Sequence, residues 1–268
     1  MRQQAAAVSD ILTSENAARI PWQAEQLRCT SFFEPLFDVT AESAFRVFTG
    51  SEPTHISENR QQAVQTATGI FNNFKLDVVK IPGRLDMVLH SSDESSALSP
   101  GVSVLGPWTE VAEVFDGGVR AWLQTQPKLQ RLALGTIVAD EVEDRVAGYR
   151  VLNQLLPKVD IDVEHSSDFF YQINRPRLVQ FGDQLSIKIN RLSKWSVAAV
   201  VSHTMTVVAN ERFQRPSNVV GSIRNYSRAE LDLSTDPEVL ELPAAQIEAI
   251  WEKLVDLAHE LLLKGDTA

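Results

Sequence analysis

The sequence predicts an α+β protein: antiparallel sheet or sheets built of hairpins, with packed helices and a long C-terminal helix. Three observations predict it. Apolar, strand-like runs fall in hairpin groups between helices, without strict β-α alternation, which favours antiparallel layers. Pro82-Gly83 separates two such runs as a turn would. A stripe at helical spacing runs from Ile247 to Leu261 and stops at Lys264-Gly265. No Gly-rich strand-to-helix phosphate loop is present, so Rossmann and P-loop nucleotide folds lose support. The 268 residues suit one large domain or two small ones. They read as a single domain over 1–268, with two α+β halves, about 1–127 and 128–268, as the alternative.

In chain order, residues 1–20 are rich in Ala and Gln and read as helical or frayed. Leu27 to Phe33 and Ala44 to Phe48 read as short strands, broken by Pro35 and by Gly50 to Pro53. Ser57 starts a helix, with Glu58 in its first turn. Val64, Ala67, Ile70, Phe71 and Phe74 recur at helical spacing. Phe74 to Ile81 and Arg84 to His90 form a hairpin. Its Pro82-Gly83 turn has proline fixing the first central φ and glycine supplying the positive second one of a type II turn. Ser91 to Gly101 is a polar loop.

Pro107 opens a helix to about Gln126, weakened midway by Gly117 and Gly118. Leu129 to Val138 is a strand, and Asp140 to Leu156 a helix stopped by Pro157. Phe169 to Ile173, Gln184 to Leu192, Trp195 to Val208 and Ala229 to Leu233 are strands. Of these, Trp195 to Val208 is apolar and β-branched enough to be central. Pro243 sits in the first turn of the last helix, a position that tolerates it. His90-Ser-Ser-Asp93 recurs as His165-Ser-Ser-Asp168. A tetrapeptide match is expected about 0.5 times by chance in such a chain, so it does not establish duplication.

Cys29 stands alone, which excludes a disulfide framework and any CxxC zinc site. It lies in an apolar run and reads as a buried, inert thiol. The N-terminus has no apolar h-region, and no run of about 18 apolar residues occurs. The expectation is therefore a cytoplasmic protein with no membrane association. A net charge of −10 argues against bulk binding of nucleic acid or anionic membrane. The charge is unevenly placed: −9 over 1–173, +7 over 174–228 and −8 over 229–268. A basic block between acidic flanks is the most informative feature.

From Lys128 onward, several patches occur in a familiar order. They are the strand to Ile137, Phe169-Phe-Tyr-Gln-Ile-Asn-Arg175, Leu185-Ser-Ile-Lys-Ile-Asn190, Leu231-Asp-Leu-Ser-Thr-Asp236 and the terminal Lys264-Gly-Asp266. Over 128–266 this resembles a sporadically distributed family of bacterial proteins of about this length with no assigned function. The resemblance carries over no catalytic residue. It implies an accessory role of the kind found in defence and toxin–antitoxin loci.

Several motifs invite a chemical reading. Asp160, Asp162 and Glu164 alternate ahead of His165, so an extended segment would place three carboxylates on one face, as a metal-dependent phosphoesterase needs. A solvated strand face is the expected reading. Gly101-Val-Ser103-Val-Leu-Gly106 is one residue too long for a nucleophile elbow. His203, in the most apolar strand, reads as a core histidine.

The basic block is the better candidate. Arg212, Arg215, Arg224 and Arg228 fall in Asn210 to Arg228, which reads as a structureless stretch of the length that often carries function. Arg175, Arg177, Arg191 and Lys194 lie at neighbouring strand ends, and arginine forks onto carboxylates and phosphates. The last helix carries the complement: Glu248, Glu252, Asp256 and Glu260, four apart, stack on one face. Either that stripe is solvated or it meets a basic surface, in this chain or another.

The expected function is that of a non-catalytic interaction protein, without cofactor or metal, with a protein partner or self-association. The expected partner-binding residues are Arg212, Arg215, Arg224, Arg228, Arg175, Arg177, Glu248, Glu252 and Asp256. A nucleic-acid-binding module using 174–228 is the first alternative, and the metal-dependent phosphoesterase the second.

Overall fold

The computed structural model describes residues 20–34, 38–92, 101–126, 128–182, 185–210, 213–239 and 241–267, apart from the side chains of 203–220. In the first part of the chain lie β1 (Gln23–Phe32), α1 (Ala41–Thr49), β2 (His55–Asn59), β3 (Val64–Phe71), β4 (Phe74–Ile81), β5 (Arg84–Ser91), β6 (Gly106–Pro107) and α2 (Trp108–Leu123). The rest holds β7 (Arg131–Val142), α3 (Arg145–Leu155), β8 (Phe170–Asn174), β9 (Arg177–Phe181), β10 (Leu185–Asn210), β11 (Phe213–Thr235) and α4 (Ile247–Lys264).

The strands join in one antiparallel sheet ordered β2-β3-β4-β5-β1-β7-β11-β10-β8, with β6 on β1 and β9 on β10. The α+β class and antiparallel pairing follow the sequence, although strand predominates. The order of elements recurs on either side of the central β1–β7 seam, where Cys29 faces Leu134. β1, α1, a run of strands ending in β5, then α2 matches β7, α3, a run ending in β11, then α4. In each case the first strand pairs antiparallel with the last. The His-Ser-Ser-Asp echo does not mark this recurrence: His90 ends β5, whereas His165 lies in the turn between α3 and β8.

Period-two alternation puts the core on one face of the sheet. Leu27 and Cys29 of β1, Leu132 and Leu134 of β7, and Leu231 and Leu233 of β11 are all at most 2% exposed. The helices cover that face. Trp122 Nε1 donates to Ser31 Oγ and Trp108 Nε1 to Thr136 Oγ1, both from α2 into the sheet. The opposite face carries paired charges instead, among them Arg28–Asp232, Lys194–Glu230 and Arg84–Asp86.

The β4–β5 hairpin is as expected: Ile81 faces Arg84, and Gly83 has φ 74°. Other elements differ. Ala44 to Phe48 is helical, because Thr40 and Ser43 form a capping box ahead of it. The helix expected from Ser57 is instead β2 and β3. Its apolar residues alternate in a strand, and Asn72-Asn73, at φ 48° and 67°, turn it back into β4 as two positive-φ residues can. α3 starts at Arg145 behind the Asp144 cap, so Asp140 to Val142 remain in β7.

The largest difference lies in the basic block. Of the strand expected over Gln184 to Leu192, Gln184 lies outside the described residues; Leu185 to Leu192 and Trp195 to Val208 belong to the single strand β10. The supposed structureless stretch 210–228 is mostly β11. Residues 1–19 and 93–100 lie outside the described residues. No described helix is long and apolar enough to cross a membrane.

Candidate functional site

β10 and β11 are too long for the sheet that holds them. The pairing of β11 with β7 ends at Asn225 opposite Val142, and that of β10 with β8 ends at Ser196 opposite Phe170. Beyond those points β10 and β11 continue to pair only with each other among the described residues, from Val200↔Arg224 out to Asn210↔Phe213. At about 3.3 Å per residue the ribbon projects roughly 40 Å from the body. Val201 and Ile223, opposite each other near its root, are 52% and 66% exposed. A two-stranded ribbon alone is marginally stable in water.

The nominated arginines divide into two groups. Arg212 lies outside the described residues, and Arg215 lies on β11 with its side chain outside them. Arg224 lies on β11 and reaches Glu141 at 3.1 Å in an exposed pair. The others are engaged within the body. Arg228 forks onto Glu25 at 2.9 and 3.2 Å on the open sheet face. This contact raises the arginine's pKa, against the opposing effect of burial.

Arg175 forks onto Asp266 at 2.6 and 2.9 Å, with Tyr171 OH donating to the same carboxylate at 3.0 Å. Arg177 forks onto Glu260 at 2.8 and 3.0 Å. Arg191, 2% exposed, lies beside these pairs, and burial is the main influence lowering its pKa. The last helix therefore does meet a basic surface of its own chain, through Glu260 and Asp266 at its C-terminal end.

The other nominated acids lie elsewhere on α4. Glu248 accepts from Gln124 at 3.4 Å, and Glu248 and Glu252 both act electrostatically on Arg120 of α2. Asp256 is exposed. The carboxylate stripe that the spacing predicted thus serves two places: α2 near its start and β9 near its end. Gly265 completes the second attachment. At φ 72°, it lets the chain pass so close to α3 that a Cβ there would stand 1.8 Å from the Leu155 carbonyl oxygen. Asp266 N then donates to that oxygen at 2.9 Å.

The acidic segment is a turn, so its carboxylates share no face. Asp162 accepts from its neighbour His165 through both backbone and ring, and Glu164 pairs with Arg150. No group of three His, Cys, Asp or Glu placed to hold a metal occurs among the described residues. Gly101 to Leu105 is loop, not the strand-to-helix turn of a nucleophile elbow. Cys29 is 1% exposed, and burial pushes its thiol pKa far up, as expected of an inert thiol. The side chain of His203 lies outside the described residues.

Two features were not read from the sequence. His90 Nε2 lies 2.6 Å from Asp77 Oδ2 across β4 and β5, and Thr68 donates to the same carboxylate. Burial would raise the Asp77 pKa, but these hydrogen bonds outweigh it and hold the group below its ordinary range. Thr68 Oγ1 donates to Asp77 Oδ1, so that hydroxyl is bound to the carboxylate. The second feature is a cleft of about 340 Å³ lined by Trp22, Trp108, Pro21, Pro107, His259 and Leu262, among others. Both indole N–H groups are engaged, with the Leu262 carbonyl and with Thr136 Oγ1. Period-two spacing within β4 and β5 is visible in the sequence. The register that brings Asp77 to His90, and the packing that makes the cleft, are not.

The chain matches no protein-family model and no curated protein.

Proposed function

We propose that this chain is a non-catalytic interaction protein that presents the β10–β11 ribbon to a protein partner. Following the resemblance of residues 128–266, its setting is a bacterial accessory system, of the defence or toxin–antitoxin kind, as a subunit or regulator. One observation carries the reading. The ribbon leaves the sheet with both outer edges unpaired among the described residues and with large apolar side chains, Val201 and Ile223, in solvent. Exposed strand edges and apolar surface of this kind are what β-addition to a partner uses. The arginines that anchor the body, Arg175, Arg177 and Arg228, hold this platform rigid. Of the nominated set, Arg224, in its exposed pair with Glu141, lies where the ribbon leaves the sheet.

The nucleic-acid alternative has its own support, because a two-stranded ribbon bearing arginines can enter a DNA major groove. It is the weaker reading. Residues 200–224 sum to +2, while the rest of the chain sums to −12 and would repel a polyanion.

Replacing residues 200–224 with Asn-Gly would join Ala199 to Asn225, which face each other across the hairpin, by a two-residue turn. The shortened chain is expected to melt as the parent does and to lose its in-cell protein cross-links. Fluorescence anisotropy with a labelled DNA duplex tests the alternative. Submicromolar binding with a log–log salt slope of about −3, lost with the ribbon, would replace our reading with that one.

A further inference from the structure

We infer that the partner of β10's outer edge, residues 197–210, is the same edge of a second copy, paired antiparallel about a two-fold axis. The inference rests on the ribbon being the binding element. The two edges of the ribbon are built differently. On β11, residues 213–224 contain Arg215, Pro216 and Arg224, and the register shifts between Thr206 and Val207 as the chain bulges. Proline, charge and a bulge are the devices by which natural sheets block strand addition. On β10, residues 197–210 contain no charged residue, no proline and no glycine, and half of these 14 residues are Val or Thr. One edge is closed to pairing and the other is left open. Among the described residues the last strand partner on the open side is Phe170, opposite Ser196.

A second copy fits this edge in closure, in its lack of charge and in the placing of the acidic bodies. Antiparallel pairing of a strand with itself is isologous, so it consumes both open edges and closes at two chains. The edge is uncharged, so no register of self-pairing brings like charges together. The strongly acidic remainder of each chain is then carried to opposite ends of the paired strands. Over fourteen residues that separation is about 45 Å, several Debye lengths of about 8 Å at physiological salt. Parallel pairing would set the two acidic bodies side by side.

The test is the molar mass by light scattering on a sizing column at about 1–100 μM. The parent chain is expected to run as a dimer. Thr204→Lys and Thr204→Glu, near the middle of the open edge, are each expected to weaken dimerisation at least tenfold and to run as monomers with unchanged circular dichroism. An equimolar mixture of the two is expected to recover the dimer, because Lys then meets Glu close to the two-fold axis. Hydrogen exchange should show slowed amides in 197–210 on dimerisation, and none slowed in 213–224. A parent chain monomeric at 100 μM, a dimer indifferent to both substitutions, or protection on 213–224 instead would each overturn the inference. The wider reading fails separately. Cross-links in the cell that survive removal of 200–224 would sink it, whereas cross-links lost from a monomeric parent would sink only the self-pairing.

Discussion

Replacing Asp266 with Asn removes one negative charge from the point where the end of the chain is fastened to the sheet. The carboxylate side chain is 3% exposed and its partner Arg175 28%. It accepts two charge-assisted hydrogen bonds from Arg175 and a third from Tyr171. Breaking a fully buried ion pair by removing one partner costs about 3–5 kcal/mol, and an exposed one about 0–1 kcal/mol. With one end buried and the other half open, a loss of about 2–3 kcal/mol is expected. For a chain of this size that lowers Tm by roughly 4–12 °C.

The pH dependence has a definite sign. Burial would raise the Asp266 pKa, but the hydrogen bonds from Arg175 and Tyr171 prevail and lower it. A carboxylate with a depressed folded-state pKa stabilises the fold above its unfolded value of about 3.9. That contribution is lost as pH falls through the folded value. The gap between parent and Asp266→Asn should therefore be full at neutral pH and close on acidification below about pH 4. The assay is urea denaturation from pH 7 to 3, with Asp256→Asn on the exposed side of the same helix as control, expected within about 0.5 kcal/mol of the parent. An Asp266→Asn variant no less stable than that control, or a gap that widens in acid, would refute the latch. Arg175→Glu and Arg177→Glu each break a structural fork and so report on stability as well as on binding.

Two further outcomes are expected. Gly83→Val forces a β-branched residue to positive φ between β4 and β5 and should cost roughly 1–3 kcal/mol; an unchanged melting temperature would mean the turn tolerates the side chain. Asp160→Asn, Asp162→Asn and Glu164→Gln together should move the melting temperature by less than about 1 °C, with or without added Mn²⁺, because these groups are exposed and reach no further than their own turn and the exposed Arg150; a Mn²⁺-dependent rise in the parent, absent from the triple variant, would revive the metal reading.

What could be read from the sequence follows range of interaction. The β4–β5 hairpin, the strand through Leu132 and Leu134 and the long last helix with its glycine stop were legible because each is set by neighbours a few residues apart. So were the buried state of Cys29 and the α+β class. Reading failed where two periods competed. Val64 to Phe74 contains apolar residues compatible with either a helix or a strand, and the Asn72-Asn73 turn decides for the strand. Ala44 to Phe48 is short and apolar enough for a strand, and the capping box of Thr40 and Ser43 decides for the helix. The site residues show the same division. Their charge pattern was plain, but which guanidinium meets which carboxylate was not.

By itself the sequence determined a mixed antiparallel protein with a basic block between acidic flanks and an arginine-rich stretch worth attention. Only the tertiary structure decided that Arg175, Arg177 and Arg228 are spent on Asp266, Glu260 and Glu25, because those pairs join residues some 80 to 200 positions apart. It likewise decided that the stretch read as loop is a strand outrunning its sheet. Whether a β-branched segment is a central strand or a free ribbon depends on where its neighbours end. Here β7 stops at Val142 and β8 begins at Phe170, leaving the rest of β10 and β11 with only each other.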